Sequence, residues 1–316
     1  MNKRTEEAMR RQALKTLSAI ALVTLLVSPA PAQNGSLRER LRERFASRMA
    51  EPAAPGATEH AYGPRPLQKL DLWRAQASRP APLVIFVHGG GWKRGDKNNA
   101  TGAAKVTHLL SRGYAVASID YDLVPGATVE QQAADVALAV AWLRNHAAEN
   151  GIDPKRIVLM GHSAGAHLVA LVGTEPTYLA AAGLGLAALS GVVAIDGACY
   201  DVPAQIATGG NFMHDTYVQA FGSDPARQRR LSPVFQAAAP NAPAFLLLHV
   251  ARPDGVAQAK ELADALTSAG TPVERQGFAG TGLRGHMEIN RSLGDPAYPA
   301  TGVLDAWLTR IFGSKP

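Results

Sequence analysis

The sequence predicts an α/β fold, a mostly parallel central sheet with helices on both faces. Three observations predict it. Apolar runs at 83–87, 157–160, 191–195 and 244–250, the last interrupted only by His249, have the composition of strands covered on both sides. Between them lie longer stretches whose apolar residues recur at helical spacing, as at Val136, Val140 and Leu143. The two kinds of segment alternate, and strands joined by helical crossovers pair in parallel. With 316 residues, 47% of them hydrophobic, the chain can bury a large core.

The first 32 residues read as a signal peptide. Lys3, Arg4, Arg10, Arg11 and Lys15 precede an apolar stretch from Leu17 to Val27, too short for a stable membrane span, and Ala30-Pro31-Ala32 supplies a small-residue cleavage site. The run Arg10-Arg11-Gln12-Ala13-Leu14-Lys15 resembles the twin-arginine export signal, with Ala13 where that signal usually has Phe, so the ordinary secretory route stays open. The mature protein is expected to be exported, periplasmic or secreted. Residues 1–32 carry five Lys/Arg and two Asp/Glu, half of the formal charge of +6. What remains is too small to argue for nucleic-acid binding, which needs a clustered basic face. One cysteine, Cys199, excludes an intrachain disulfide.

Residues 33–62 read as a basic, Pro-rich spacer. In 36–50, Leu37, Leu41, Phe45 and Met49 form one helical stripe among Arg38, Arg40, Arg42, Arg44 and Arg48, and Pro52 to Gly56 ends it. Such a helix packs on the domain or lies on an anionic membrane surface. The α/β domain is expected to occupy 63–316.

An outer strand is predicted over 67–72 and a central one over 83–87. The latter runs into His88-Gly89-Gly90-Gly91-Trp92. Three glycines after a buried strand leave backbone amides uncovered, as a site that holds a developing negative charge requires. His88 fits better as a brace for this loop than as a base. A helix over 101–112 and a strand over 115–119 follow. Asp120 and Asp122 lack a third ligand at metal spacing and suit a structural turn. A helix over 129–150 ends at Gly151.

The chain is organised around Gly161-His162-Ser163-Ala164-Gly165. Ile157 to Met160 lead in as a strand, and His167 to Val172 lead out as a helix. In so sharp a turn the central residue is held in a strained conformation above the sheet, and the residues two before and two after must be nearly free of side chain. Ser163 then stands at a helix N-terminus, with the Ala164 amide pointing at charge that develops beside it.

These two motifs and the element order resemble the α/β-hydrolase superfamily, in particular its carboxylesterases with an H-G-G-G motif, close to the hormone-sensitive-lipase-like and the feruloyl-esterase- or arylformamidase-like branches. The resemblance covers roughly residues 61–313. It implies a cofactor-free serine esterase without a metal, with the triad in the order Ser, acid, His. Ser163, Asp254 and His286 fit that order, Asp254 after the strand 244–250 and His286 in a Gly-rich loop after the strand 272–278. Asp196 and Asp201 also follow a strand and stay open as the acid. The oxyanion donors are expected to be the amides of Gly90, Gly91 and Ala164. Trp92, His162, Tyr200 and Met287 are expected at a substrate pocket, and 199–243 to fold over the sheet edge. A helix over 298–312 closes the domain.

The expected reaction is hydrolysis of short-chain or aryl carboxylic esters through an acyl-enzyme. An arylformamidase, a polymer-directed feruloyl or acetyl esterase, and a non-catalytic binding protein on the same fold are the alternatives. The expected partner is a small ester. The oligomeric state is not legible.

Overall fold

The computed structural model describes residues 54–98, 101–208 and 213–313. The proposed signal peptide, the stripe at 36–50 and most of the spacer lie outside the described residues. Among the described residues no helix is long and apolar enough to cross a membrane.

Eight strands form one sheet: β1 (Thr58–Ala61), β2 (Lys69–Trp73), β3 (Ala81–Val87), β4 (Ala115–Ile119), β5 (Ile152–His162), β6 (Gly191–Ile195), β7 (Phe245–Val250) and β8 (Val273–Phe278). Their order is β1-β2-β4-β3-β5-β6-β7-β8, with the β1–β2 and β2–β4 pairs antiparallel and the other pairs parallel. β1 falls inside the stretch read as spacer. Its four residues are mostly exposed at the sheet edge, so no buried face stamps a pattern on the sequence. Trp73 at the end of β2 anchors the segment before β1 by donating from Nε1 to the carbonyls of Ala54 and Pro55, at 3.3 and 3.0 Å.

The helices are α1 (Ala103–Ser111), α2 (Val129–Asn145), α3 (Ala164–Thr174), α4 (Pro176–Ala181), α5 (Val202–Thr208), α6 (His214–Phe221), α7 (Pro225–Arg230), α8 (Pro233–Gln236), α9 (Pro253–Ser268), α10 (Gly282–Ser292) and α11 (Pro299–Phe312). β3 shows why its sequence is apolar throughout. Leu83, Ile85 and Val87 face one core with α2 and α3, while Val84 and Phe86 face the other with α1 and α11. Each such side chain contributes about 1.5–3 kcal/mol by its burial.

Two placements differ from the sequence reading. Asp254 lies in the first turn of α9, not in a loop, because Pro253 takes the first helical position with its φ already set for a helix. His286 lies within α10 rather than in a Gly-rich loop. Gly282 and Gly285 disguise that helix, and Gly285 is required by contact: a Cβ there would sit 2.6 Å from the Gly280 carbonyl carbon. The aperiodic stretch 199–243 resolves into α5 to α8, helices of four to eight residues that are too short to show a period.

β3 is the point where the strand order reverses, since β4 lies on one side of it and β5 on the other. In open parallel sheets the crevice beyond the carboxyl ends of such strands is where ligands sit. Registry does the rest. Val87 lies beside Gly161, His162 beside Ile195, and Ile195 beside Leu248, so the loops that follow β3, β5, β6 and β7 emerge at one rim.

Candidate active site

Ser163 follows β5 and precedes the first residue of α3, with φ 56° and ψ −117°. That φ is strained for a side chain bearing a Cβ, and packing holds it there. A Cβ at Gly161 would lie 2.3 Å from the Gly165 carbonyl oxygen, and one at Gly165 would lie 2.1 Å from that of Val87. Both positions must therefore be glycine, and their closeness presses the elbow against the end of β3. The Ser163 amide donates to the Ile195 carbonyl at 3.0 Å, and its hydroxyl does not cap α3.

The loop after β3 passes directly beside this serine. A Cβ at Gly89 would come within 3.0 Å of the Ser163 Cβ. Gly90, Gly91 and Trp92 follow with φ of 123°, 62° and 61°. Gly90 is exposed and Gly91 partly so, and their amides carry no side-chain cover. His88 braces this loop. It is fully buried, its Nδ1 donates to the Gly89 carbonyl at 2.7 Å, and its ring stacks on Tyr121 with centroids 4.3 Å apart. Tyr121 in turn donates its hydroxyl to the His88 carbonyl at 2.8 Å. Burial pushes His88 down to about 4, so the ring is neutral at neutral pH. Asp120 accepts from the Lys97 amide at 2.6 Å, and Asp122 pairs with Arg65, which keeps both in the turn after β4.

His286 donates from Nδ1 to Oδ2 of Asp196 at 2.6 Å. Asp196 follows β6 at once, is wholly buried, and has φ 42°. Its Oδ1 accepts from the Val250 amide at 3.1 Å, and its Oδ2 also accepts from Arg252 Nε at 3.2 Å. Burial alone would raise its pKa. The hydrogen bond and charge of His286, the Arg252 guanidinium and the Val250 amide outweigh burial and hold it at about 2. With Nδ1 committed to the carboxylate, Nε2 is the imidazole nitrogen left to take a proton.

The structure does not bring Asp254 to His286. Asp254 binds Arg252 Nη1 at 2.5 Å and accepts from Gln205 Nε2 at 3.3 Å. The physical reason is that Pro253 takes the first helical position of α9 and so carries Asp254 onto the helix. Asp201 accepts from the Ala204 amide at 3.0 Å in the first turn of α5. Asp196 is one of the two other carboxylates, with Asp201, that the sequence leaves open as the acid. The signal that favours it is registry, since β6 lies next to β5 and sets Asp196 beside the elbow.

The residues expected at a pocket divide by exposure. Trp92, His162 and Tyr200 are buried, and Met287 is partly exposed beside His286. Trp92 packs against Phe221 and His167, with centroids 4.8 and 5.5 Å away, and its carbonyl accepts from Gln132 Nε2 at 2.6 Å. Thr216 of α6 touches the Gly91 position, where a Cβ would be 3.0 Å from its Cγ2. His162 does more than pack. Its Nε2 donates to the His286 carbonyl at 2.9 Å, and the two rings lie 4.5 Å apart. Among the described residues no cluster of three or more His, Cys, Asp or Glu side chains gathers as a metal site.

A sheet in this order, with a strained serine turn after its fifth strand and a histidine delivered from beyond its eighth, has the α/β-hydrolase fold. Within it, the BD-FAE family model matches residues 70–196, from β2 to Asp196. Esterase LipC of Mycobacterium tuberculosis is 35% identical over 202 residues, 60% of this chain and 49% of LipC. Isoprenylcysteine alpha-carbonyl methylesterase ICME of Arabidopsis thaliana is 37% identical over 110 residues, 34% of this chain and 25% of ICME. The chain thus spans half or less of the length of these two relatives. Among solved structures, esterase B of Lactobacillus rhamnosis superposes with a TM-score of 0.68 at 20% identity, over 98% of this chain and 95% of the other. Thermogutta terrifontis esterase 2 phosphonylated by sarin gives 0.69 at 22% identity, over 84% and 98%.

Proposed function

We propose that the protein is a serine carboxylesterase in which Ser163 is the nucleophile, His286 the general base and acid, and Asp196 the carboxylate that orients the imidazole. The hydrogen bond from His286 Nδ1 to Asp196 Oδ2 carries this reading. It fixes the tautomer whose Nε2 accepts a proton, and the buried Asp196 charge stabilises the imidazolium that forms. His286 takes the Ser163 proton as the hydroxyl attacks the ester carbonyl, then gives it to the departing alcohol, and a water molecule repeats the sequence to release the acid. The amides of Gly90, Gly91 and Ala164 hold the oxyanion, each worth about 2.7–4 kcal/mol of barrier. The Ala164 amide stands at the N-terminus of α3, and the glycines are held beside Ser163 by the His88 brace.

Short-chain or aryl esters are the proposed substrates. Trp92, His167, Tyr217 and Phe221 fill the volume behind Gly91 with packed rings, which favours small acyl groups there. The basic and apolar pattern of 1–32 supports export as part of the same proposal.

The test is Ser163→Ala assayed on p-nitrophenyl esters of graded acyl length, with covalent labelling by a fluorophosphonate probe alongside. Turnover is expected to fall by about 10⁴ or more and labelling to vanish. Normal turnover by a Ser163→Ala protein free of host esterases would remove Ser163 from the reaction.

A further inference from the structure

The proposed triad leaves one charged pair beside it without a part. Arg252 stands at the N-cap position of α9 and spreads its guanidinium over three acceptors. Nε donates to Asp196 Oδ2 at 3.2 Å, Nη1 to Asp254 Oδ2 at 2.5 Å, and Nη2 to the Gly197 carbonyl at 3.3 Å. Asp254 is steadied from its other side by Gln205 Nε2. The space is made to measure: a Cβ on Gly255 would come 3.0 Å from Arg252 Nη2 and 3.2 Å from Asp196 Oδ1. A planar fork that binds two carboxylates and a carbonyl fixes orientation as well as charge, which a flexible ammonium does not.

We infer that Arg252, held in place by Asp254, is a positioning residue for the triad carboxylate: it fixes Asp196 against His286 and shares the carboxylate charge that faces that imidazole. The inference rests on the reading of Asp196 as the triad acid. Oδ2 of Asp196 accepts from both His286 and Arg252, so the guanidinium shares the negative charge that the imidazolium sees. The other titratable groups around the pair are His162 on β5, Lys105 on α1, Glu288 on α10, Cys199 and Tyr200 after β6, Tyr217 on α6 and Tyr298 before α11. Arg252 is distinguished from these by direct contact with the carboxylate, in a side chain only 16% exposed.

The sign follows from the charges. Removing the cation leaves Asp196 more negative toward His286, which favours the imidazolium, so the enzyme needs a higher pH to free its base. For Arg252→Met, the acid limb of the kcat/KM profile is expected to move up by about one pH unit. Loss of the fork should lower kcat about tenfold. Arg252→Lys restores charge without the fork, so its acid limb returns toward wild type while kcat stays reduced. Asp254→Asn lowers kcat a few-fold in the wild-type background and changes nothing further in Arg252→Met, because Asp254 acts through Arg252.

The measurement is the pH profile of kcat and kcat/KM on p-nitrophenyl acetate for wild type, Arg252→Met, Arg252→Lys, Asp254→Asn and the Arg252→Met/Asp254→Asn double variant, each first checked for a native melting transition. Ser163→Ala and Asp196→Asn are run in parallel. If Arg252→Met does not fold, Arg252→Lys and Asp254→Asn still carry the comparison. A wild-type acid limb and kcat in Arg252→Met, or an Asp254→Asn loss that persists undiminished without Arg252, overturns the inference. Retained activity in Ser163→Ala or Asp196→Asn overturns instead the triad reading on which it rests.

Discussion

Nδ1 of His286 lies 2.6 Å from Oδ2 of Asp196, although 90 positions separate the two residues in the chain. Backbone pairing makes the contact. β5 and β6 pair His162 with Ile195, the Ser163 amide binds the Ile195 carbonyl, and the Asp196 amide binds the Leu248 carbonyl at 2.7 Å. The carboxylate is thereby fixed beside the elbow, and α10 brings the imidazole to it. His162 closes the loop by holding the His286 carbonyl.

The depressed pKa of Asp196 makes folding stability depend on acidity. Its folded value of about 2 lies below the ordinary 3.8, so its contribution is fully present above about pH 4 and is lost as pH falls toward 2. The size is on the order of 2 kcal/mol. Urea unfolding of wild type and Asp196→Asn should show a gap that narrows by this amount across that range. A gap that stays constant with pH would show that the charge of Asp196 is not stabilised by the fold.

The elbow glycines should be intolerant in a way that a helix glycine is not. Gly165→Ala forces a methyl to 2.1 Å from the Val87 carbonyl oxygen and 2.5 Å from that of His88, and should cost about 3 kcal/mol or more. Gly302→Ala lies within α11, is exposed and has nothing within 4 Å, so it should stabilise by about 0.5–1 kcal/mol. Chemical denaturation of both proteins checks the contrast, and equal effects would contradict the packing described for the elbow.

His162→Phe keeps an aromatic ring against His286 but removes the donor to its carbonyl. We expect kcat to fall roughly tenfold with KM unchanged, because the loss is in the aim of the base and not in substrate contact. Burial, with the neighbouring His286 charge, pushes His162 well below its ordinary value, so it stays neutral and adds no pH limb of its own. His162→Gln, which retains a donor, should recover part of the rate. A His162→Phe enzyme with wild-type kcat would reduce this residue to packing.

How much of this was legible in the sequence depended on how each feature is encoded. β4 and β6 are legible to the residue, because a strand buried on both faces is written as a short, nearly continuous apolar run, broken in β4 only by Ser118. The elbow and the glycine loop were legible because each needs glycine at fixed positions, where any Cβ would collide with backbone. β5 begins five residues earlier than its apolar run, since Ile152 to Arg156 carries Asp, Pro, Lys and Arg and is only partly buried. The acid was not legible. Asp254 and Asp196 both follow a strand, and the choice between them rests on which strands are neighbours and on where α9 starts. The role of Arg252 was hidden for the same reason, since its partners are Asp196 and Gly197 after β6 and Asp254 on α9.

The most direct test sets Asp196→Asn against Asp254→Asn, comparing kcat on p-nitrophenyl acetate in proteins shown to be folded. An amide at the triad position leaves the imidazole in the wrong tautomer, so Asp196→Asn is expected to lose about 10⁴ in kcat while Asp254→Asn keeps its rate within tenfold. The reverse ranking, with Asp254→Asn disabled and Asp196→Asn active, would contradict the account.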